Sequence, residues 1–146
     1  MEIRPLSNEY KDQVKKLVLS VYEDTPEAFF YAQKPSEDEL EALLQKKIEE
    51  NGRGIIDIVA LEDGKVIGEC EVVKYGKEGV IGILVEKNHR EKGVGTALLK
   101  TALTKARSMG VDRAVAKVND KNNAARLFFE KLGFRKAGSG MFELRI

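Results

Sequence analysis

The order of hydrophobic patterns predicts an α/β (α+β) fold, in which helices pack on both faces of a mixed, mainly antiparallel sheet. Two apolar patterns of helical period come first, and three β-branched stretches separated by tight-turn sequences follow them. A helix, a strand, a short helix and a terminal hairpin complete the pattern. Because a strand–helix–strand connection joins parallel strands, we expect one parallel pair beside an antiparallel meander. The 146 residues have the size of one domain, which we expect to span residues 1–146.

Two helices are predicted in the first third of the chain. Ser7 opens the first helix, and Ser36 opens the second, where Glu39 completes a capping box. The sequence Asn51-Gly52 supplies the stop of the second helix. The apolar residues that mark their buried faces are Val14, Leu17, Val18 and Val21, then Leu40, Leu43, Leu44 and Ile48.

Strands dominate the middle of the chain, and helices alternate with strands after it. Asp63-Gly64 is typical of a hairpin turn, so the three central strands are expected to form the meander. Gly133 closes the last helix, and Gly138-Ser139-Gly140 turns the terminal hairpin. The predicted elements are strands at 55–61, 66–75 and 80–85, a helix at 94–109, a strand at 111–118, a helix at 122–132 and a hairpin at 134–146.

Composition and charge exclude several classes of protein. Basic residues number 25 and acidic residues 24, a balance that excludes a histone-like nucleic-acid binder. The longest apolar run, 79–85, is far shorter than the roughly 20 residues of a membrane-spanning helix, and residues 1–5 lack the features of a signal peptide. The single cysteine, Cys70, allows no internal disulfide and is expected to be a small buried hydrophobe. We therefore expect a cytoplasmic protein with no membrane or nucleic-acid partner.

A loop with two glycines separates the third strand from the helix that follows it. Gly93 and Gly95 allow a tight turn and a close approach to a ligand, and the helix start favours an anion. Arg90 and Lys92 add positive charge. Two phosphate-binding motifs fail on spacing, because a dinucleotide fingerprint needs a glycine where Leu98 stands and the Gly-Lys-Ser/Thr of a P-loop is absent. An ordinary strand-to-helix turn remains the alternative on the loop alone.

Two motifs in the right order carry a family resemblance. Residues 90–95 match the pattern Arg/Gln-x-x-Gly-x-Gly/Ala, and Leu84-Val85 precede them. Residues 122–134 match Asn-x-x-Ala-x-x-x-Tyr-Glu-Lys-Leu-Gly-Phe, except that Phe129 replaces the Tyr. With these motifs, and with the same element order along nearly its whole length, the chain resembles the GNAT superfamily of N-acetyltransferases.

The resemblance implies that acetyl-CoA is the cosubstrate, with no metal, and binds where two parallel strands splay apart near Val85 and Val118. It implies that backbone groups at 83–85 hold the pantetheine arm, that N–H groups at 91–96 cradle the pyrophosphate, and that Asn122 bonds to the CoA chain. The cofactor-binding residues that it implies are Ile83, Leu84, Val85, Arg90, Glu91, Lys92, Gly93, Val94, Gly95, Thr96, Asn122 and Phe129.

The resemblance also implies direct attack of an unprotonated amine on the thioester. A backbone N–H at Leu84 or Val85 would stabilise the oxyanion. Phe129 cannot protonate the leaving group, but a thiol with a pKa near 8.5 leaves tolerably as thiolate. Tyr75 and Tyr22 are possible substitute acids, and packing is the alternative role of both.

The general base is less defined by the sequence. Glu71 is the first candidate; Glu69 shares its strand face and Glu78 lies at the next turn. Ordinary solvated carboxylates and a water relay are the alternatives. His89, the single histidine, is expected to be exposed and to have a polar packing role on the cofactor side.

Charge is unevenly distributed along the chain. Residues 23–50 hold nine acidic and three basic residues, and 87–136 hold thirteen basic and four acidic. By the resemblance the acidic segment borders the acceptor pocket, so we expect a cationic acceptor: a polyamine, an aminoglycoside-like amine or a peptide amino group. Solvated helix faces are the alternative. The aromatic residues expected either to line this pocket or to pack in the core are Phe29, Phe30 and Tyr31.

Two further expectations concern function and assembly. The rival to an enzyme is a non-catalytic, CoA-binding regulatory protein, which Phe129 and the ill-defined base motivate. A homodimer through the terminal hairpin is a possible assembly.

Overall fold

The computed structural model describes residues 1–26 and 34–146, and within them seven strands form one mixed sheet. The strands are β1 (Glu2–Pro5), β2 (Ile55–Glu62), β3 (Lys65–Tyr75), β4 (Glu78–Val85), β5 (Arg113–Lys117), β6 (Arg135–Gly138) and β7 (Met141–Arg145); the helices are α1 (Lys11–Asp24), α2 (Glu37–Glu50), α3 (Val94–Ser108) and α4 (Asn123–Lys131). They lie in the order β1-β2-β3-β4-β5-β7-β6, and β4–β5 is the parallel pair. The predicted fold class and the meander β2-β3-β4 are confirmed.

The sheet separates two apolar cores. Alternation along β2 sends Ile56 and Ile58 to one face, while Val59 points to the other and Asp57 lies on that same side. Helices α3 and α4 cover the first face, and α1 and α2 cover the second. The buried helix residues on the second face are Val14, Leu17, Val18, Val21, Leu40 and Leu44. The predicted inner face of α1 is therefore confirmed, and α2 faces the sheet through Leu40 and Leu44.

Local signals at α2 behave largely as predicted. The Ser36 hydroxyl accepts a hydrogen bond from the Glu39 N–H, and the Glu39 carboxylate accepts one from the Ser36 N–H, both at 3.1 Å. This is the predicted capping box, and it fixes where α2 begins. Leu43 was expected on the buried face but is 47% exposed, because Leu40 and Leu44 occupy the side of α2 that faces the sheet.

The main differences from the prediction concern β1, the start of α1 and the length of β5, and the other bounds agree to within two residues. Strand β1 was not predicted, since its four residues are too few to show a period; they pair antiparallel with β2. Helix α1 begins at Lys11 rather than Ser7, because a turn in which the Tyr10 N–H bonds to the Ser7 carbonyl precedes it. Strand β5 is shorter than residues 111–118. No helix in the described ranges has the length and apolar character needed to cross a bilayer.

Candidate active site

An opening divides β4 from β5 inside the sheet. The parallel ladder runs from Glu78 opposite Arg113 to Ile81 opposite Ala116, whereas β4 continues to Val85. Just past β5, the Val118 N–H bonds to the Gly140 carbonyl at 2.8 Å, on the hairpin side rather than the β4 side. Residues 82–85 are consequently only half-buried, although β4 is a central strand. The splayed parallel pair that the resemblance implied is present.

Backbone alternation determines which groups at the end of β4 face this opening. The Glu86 N–H donates to the Ile67 carbonyl at 2.8 Å, so Glu86 bonds towards β3. The Val85 carbonyl instead accepts from Nε of Arg90 at 2.9 Å. Since successive residues of a strand point their N–H and C=O groups to opposite sides, Val85 and Ile83 face the opening and Leu84 faces β3.

The loop before α3 has the backbone shape of an anion site. Glu91 has φ +62° and Gly93 has φ +84°, so two left-handed residues flank Lys92. Such alternation turns successive N–H groups towards one concave side, and the first turn of α3 adds unpaired N–H groups beside it. Residues 91–93 are exposed. The loop therefore fits the phosphate-binding role expected of it.

Arg90 occupies a different position from the rest of this loop. Its guanidinium donates through Nε to the Val85 carbonyl and through Nη1 to the Thr25 hydroxyl, the latter at 3.1 Å. Arg90 thus ties the end of β4 to the end of α1. Its charge remains close to the loop, while these two donors hold the backbone that lines the opening.

The second motif packs against the first where α3 begins, through the contact of Phe128 with Gly95. The side-chain oxygen of Asn122 accepts from the Ala125 N–H at 3.0 Å and caps α4, so its amide nitrogen is the group suited to a ligand. A Cβ on Gly95 would lie 3.3 Å from the Phe128 ring, which explains the small residue there. Phe129 is buried and its ring contacts those of Phe128 and Phe134, with centroids 5.2 and 5.1 Å away.

A cluster of four charged side chains lies on the α2 side of the sheet. The Lys47 ammonium is 2.7 Å from Oε2 of Glu71 and 3.8 Å from Oδ2 of Asp57. Asp57 is fully buried, and Glu69 is 6% exposed. Neither Asp57 oxygen, nor Oε2 of Glu69, has a hydrogen-bond donor among the described residues when both acids are taken as ionised. A quarter of the Glu71 side chain is exposed, which makes it the accessible end of the cluster.

Burial shifts the pKa values of three groups in this cluster: Asp57, Glu69 and Lys47. Burial, the charge of Glu69 and a hydrogen bond to Glu69 raise the pKa of Asp57 well above its ordinary value. Burial also raises the pKa of Glu69, and Lys47 and that hydrogen bond act against it. Burial acts to lower the pKa of Lys47, but the surrounding carboxylates outweigh it and raise that pKa. Lys47 therefore lies among three carboxyl groups, and burial favours the uncharged form of Asp57 and of Glu69.

The accessible end of the cluster lies beside the opening. Glu71 pairs with Gly82, which is the first residue of β4 beyond the parallel ladder. Oε1 of Glu71 lies 2.9 Å from where a Cβ on Gly82 would be, so the carboxylate covers this backbone. The Val85 N–H and the Glu71 carboxylate thus flank the same stretch of β4.

The structure separates Glu71 from the other residues weighed for proton transfer. Glu78 and Tyr75 pair with each other at the far end of the β3–β4 ladder, and Glu78 forms an ion pair with Arg113, so neither is near the opening. The alternative of ordinary solvated carboxylates does not fit this pair, since Glu69 is buried and Glu71, a quarter exposed, pairs with Lys47 of α2. Tyr22 packs, half-buried, on the α1–α2 face.

His89 and Cys70 have structural roles. His89 is half-buried rather than exposed: Nδ1 lies 2.5 Å from Glu86 and Nε2 2.8 Å from Glu62. Cys70 is fully buried on the α3 side, and burial raises the pKa of its thiol, as expected of a core residue. The aromatic residues at 29–31 lie outside the described residues. Within the described ranges, no group of His, Cys, Asp and Glu has the arrangement of a metal site.

Sequence reasoning missed two members of the cluster, Lys47 and Asp57. A signal existed for Asp57, since it interrupts the apolar run 55–61 as its one charged residue. Lys47 gave none, because it lies on a helix rich in charged residues and only the packing of α2 turns it inward.

Comparisons with known proteins identify the family. The family model described as "Acetyltransferase (GNAT) family" matches residues 18–134. Human N-acetyltransferase 8 is 23% identical over 130 residues, a match that covers 80% of this chain and 57% of that protein. The chain therefore spans little more than half the length of this curated relative.

Solved structures share the fold. Ribosomal-protein-alanine N-acetyltransferase from Brucella melitensis has a TM-score of 0.85 at 19% identity, covering 100% of both chains. The putative acetyltransferase yncA from Salmonella typhimurium, solved with its cofactor acetyl-CoA, has a TM-score of 0.82 at 20% identity, covering 99% of this chain and 93% of that one. Because the family match spans most of the sequence, this chain belongs to the GNAT acetyltransferase family, and the predicted resemblance is confirmed.

The buried acid Asp57 should make the protein less stable as the pH rises. Its folded-state pKa lies above its unfolded value, so the folded state binds more protons and stability is lost as the pH climbs towards the folded pKa. We expect Asp57→Asn to raise the free energy of unfolding at pH 7 by about 1–3 kcal/mol, with a smaller gain at pH 5. Urea unfolding at both pH values measures this. Asp38→Asn, at an exposed position on α2, is the control, and equal effects of the two substitutions would contradict the assignment.

Proposed function

We propose that this chain transfers the acetyl group of acetyl-CoA directly to an amine nitrogen, and that residues 1–146 form the one domain that does so. The observation that carries the proposal is the opening beyond Ile81, where the edge of β4 that no longer pairs with β5 lies beside the Glu71 carboxylate. Family membership supports the same chemistry. Incubation with acetyl-CoA and a set of amines, with detection of the released thiol, tests it.

The cofactor fits the two features that flank the opening. The concave loop at 91–96 would hold the pyrophosphate through backbone N–H groups, with Lys92 adding charge. The edge at 83–85 would bond to the pantetheine arm, and the Asn122 amide nitrogen would donate to it. Bound acetyl-CoA supplies an activated acetyl thioester.

Glu71 would accept the proton that the amine must lose. A lysine-like ammonium with a pKa near 10.4 costs about 4.6 kcal/mol to deprotonate at pH 7, and an α-amino group near 8 costs about 1.4 kcal/mol. A carboxylate at the opening lowers this barrier by taking the proton as attack proceeds. Of the two backbone donors expected for the oxyanion, Val85 is favoured over Leu84, because its N–H faces the opening.

Departure of the thiol needs no acid in this account. Phe129 is buried among aromatic rings and has no proton to give, and Tyr75 lies at the wrong end of the sheet. A thiol pKa near 8.5 makes the thiolate an adequate leaving group at neutral pH. The alternative, a CoA-binding regulatory protein, was motivated by Phe129 and by the ill-defined base, whereas the Glu71 carboxylate at the opening supports catalysis.

A cationic acceptor is proposed because three carboxyl groups surround one ammonium in the described part of the buried cluster. The acidic segment 23–50 is partly neutralised from α1, because Glu41 pairs with Lys11 and Lys15 at 2.6 and 2.8 Å. Glu71 is therefore the acidic group that would meet the reacting ammonium at the opening. The acidic first turn of α2 extends the negative field to a second ammonium on the acceptor; its members are Glu37, Asp38 and Glu39.

The acidic residues at the opening and in the first turn of α2 predict which amines are acetylated most efficiently. Among primary amines of equal length, we expect kcat/KM to fall from those ending in an ammonium, through those ending in a hydroxyl, to those ending in a carboxylate. The span should be about tenfold or more and should shrink at high ionic strength, because exposed charges are screened. Steady-state acetylation of the three series measures it. Equal values for all three would contradict a cationic acceptor.

Assembly and location stay predictions. The edge strand β6 is exposed along its whole length, which is compatible with a homodimer through the terminal hairpin. Sedimentation of the purified chain tests the dimer. The cytoplasmic location rests on the sequence argument given above.

A further inference from the structure

Among the residues that the structure describes, the buried cluster contains one cation, Lys47, to which the proposed reaction assigns no role. Its side chain is 12% exposed and reaches the sheet from the last turns of α2. Burying an ammonium is unfavourable unless charges of opposite sign surround it. Lys47 has such surroundings, since its nitrogen lies 2.7 Å from Glu71 and the charges of Glu69 and Asp57 also act on it.

Each element that packs around the cluster contributes in a different way. Strand β2 supplies Asp57, strand β3 supplies Glu69 and Glu71, and β4 supplies Gly82, which has no side chain. Helix α1 presents apolar residues to the sheet. Cys70 is on the other face of β3. Among the described residues, Lys47 is therefore the cation that this cluster contains.

We propose that Lys47 is a positioning residue for acetyl transfer: its ammonium, 2.7 Å from Oε2 of Glu71, holds that carboxylate at the opening and is the positive charge that the carboxyl groups of the cluster share. This inference rests on the proposed function, because it assigns Lys47 a role through Glu71. If the Lys47 ammonium is removed, Glu71 lies partly buried beside Glu69 and Asp57 with no cation among the described residues of the cluster. Carboxylates held this close together repel one another, and the repulsion favours binding of a proton by the cluster. Lys47, a residue of α2 outside the opening, would then determine the pH range in which the reaction proceeds.

Substitution of Lys47 tests this through the pH dependence of the rate. In Lys47→Met, we expect the acid limb of the kcat/KM profile to move to higher pH by one unit or more, because the cluster holds an extra proton. The neighbouring Lys46 is exposed on the same helix, so Lys46→Met removes the same charge outside the cluster and should leave the limb in place. Lys47→Arg keeps the charge and should restore the limb most of the way to that of the wild type.

A second variant protects the test if Lys47→Met fails to fold. Glu69→Gln keeps the shape of the buried side chain and removes an acid that competes with Glu71 for the Lys47 ammonium. The acid limb of the kcat/KM profile should therefore move to lower pH. Opposite shifts for Lys47→Met and Glu69→Gln support the proposal. An unmoved limb in Glu69→Gln, or a Lys47→Met that loses rate equally at every pH, would overturn it. A wild-type chain that acetylates no amine would refute the proposed function, which is a separate outcome.

Discussion

Glu71→Gln is expected to lower kcat at pH 7 by about 100- to 1,000-fold, while the KM for acetyl-CoA stays within about threefold of the wild type. The amide keeps the size of the side chain and its place over Gly82 but cannot accept the proton of the amine. The loss should be largest for acceptors of high pKa, because their deprotonation is the most costly at neutral pH. Initial rates with a diamine and with a peptide α-amino group measure both effects.

Glu78→Gln is the matched control for this substitution. Glu78 is also a glutamate of the β3–β4 ladder, but it pairs with Arg113 at the end of the sheet far from the opening. It should keep kcat within about threefold, at some loss of stability. If Glu71→Gln retained full activity at every pH, Glu71 would not be the base, and a water relay would take its place.

Gly93→Asp is expected to weaken CoA binding about 100-fold, which corresponds to about 2.8 kcal/mol. Gly93 has φ +84° and lies where backbone N–H groups converge at the start of α3. A carboxylate there would repel the pyrophosphate and would itself occupy the N–H groups. Calorimetric titration with CoA measures the change.

Gly93→Asn separates charge from conformation in this experiment. Asparagine has nearly the same shape as aspartate and tolerates the left-handed region about as well, so backbone strain is similar in the two variants. We expect Gly93→Asn to bind CoA within about fivefold of the wild type. Equal loss in both variants would indicate that strain, rather than a phosphate at this loop, explains the effect.

Much of this fold is encoded in short-range patterns, which is why it could be predicted. The apolar period of α1, the capping box at Ser36 and the turn at Asp63-Gly64 each involve residues close in sequence. The loop at 90–95 could be interpreted as an anion site for the same reason, since two glycines and a helix start are local features. Strand β1 was not predicted, because four residues are too few to show a hydrophobic period and because its position depends on pairing with β2.

The chemistry of the site depends on contacts between distant residues, and there prediction from sequence fell short. Lys47, Asp57 and Glu71 come from three elements, so no spacing in the sequence relates them. Burial of Glu69 likewise follows from the packing of α1 and α2 on this face of the sheet, although its period along the strand was visible. Arg90 was expected among the cofactor-binding residues, but its hydrogen bond to Thr25 links segments that only the fold brings together.

The transfer of the acetyl group is tested most directly by following both products of one reaction. The wild-type chain is mixed with isotopically labelled acetyl-CoA and a set of cationic and neutral amines; mass spectrometry detects labelled amide, and thiol titration detects free CoA. We predict one labelled amide per thiol released, no thiol release beyond background hydrolysis without an amine, and a much slower reaction with Glu71→Gln. Tight binding of CoA with no labelled amide from any amine would contradict acetyl transfer and would make this chain a CoA-binding protein without catalysis.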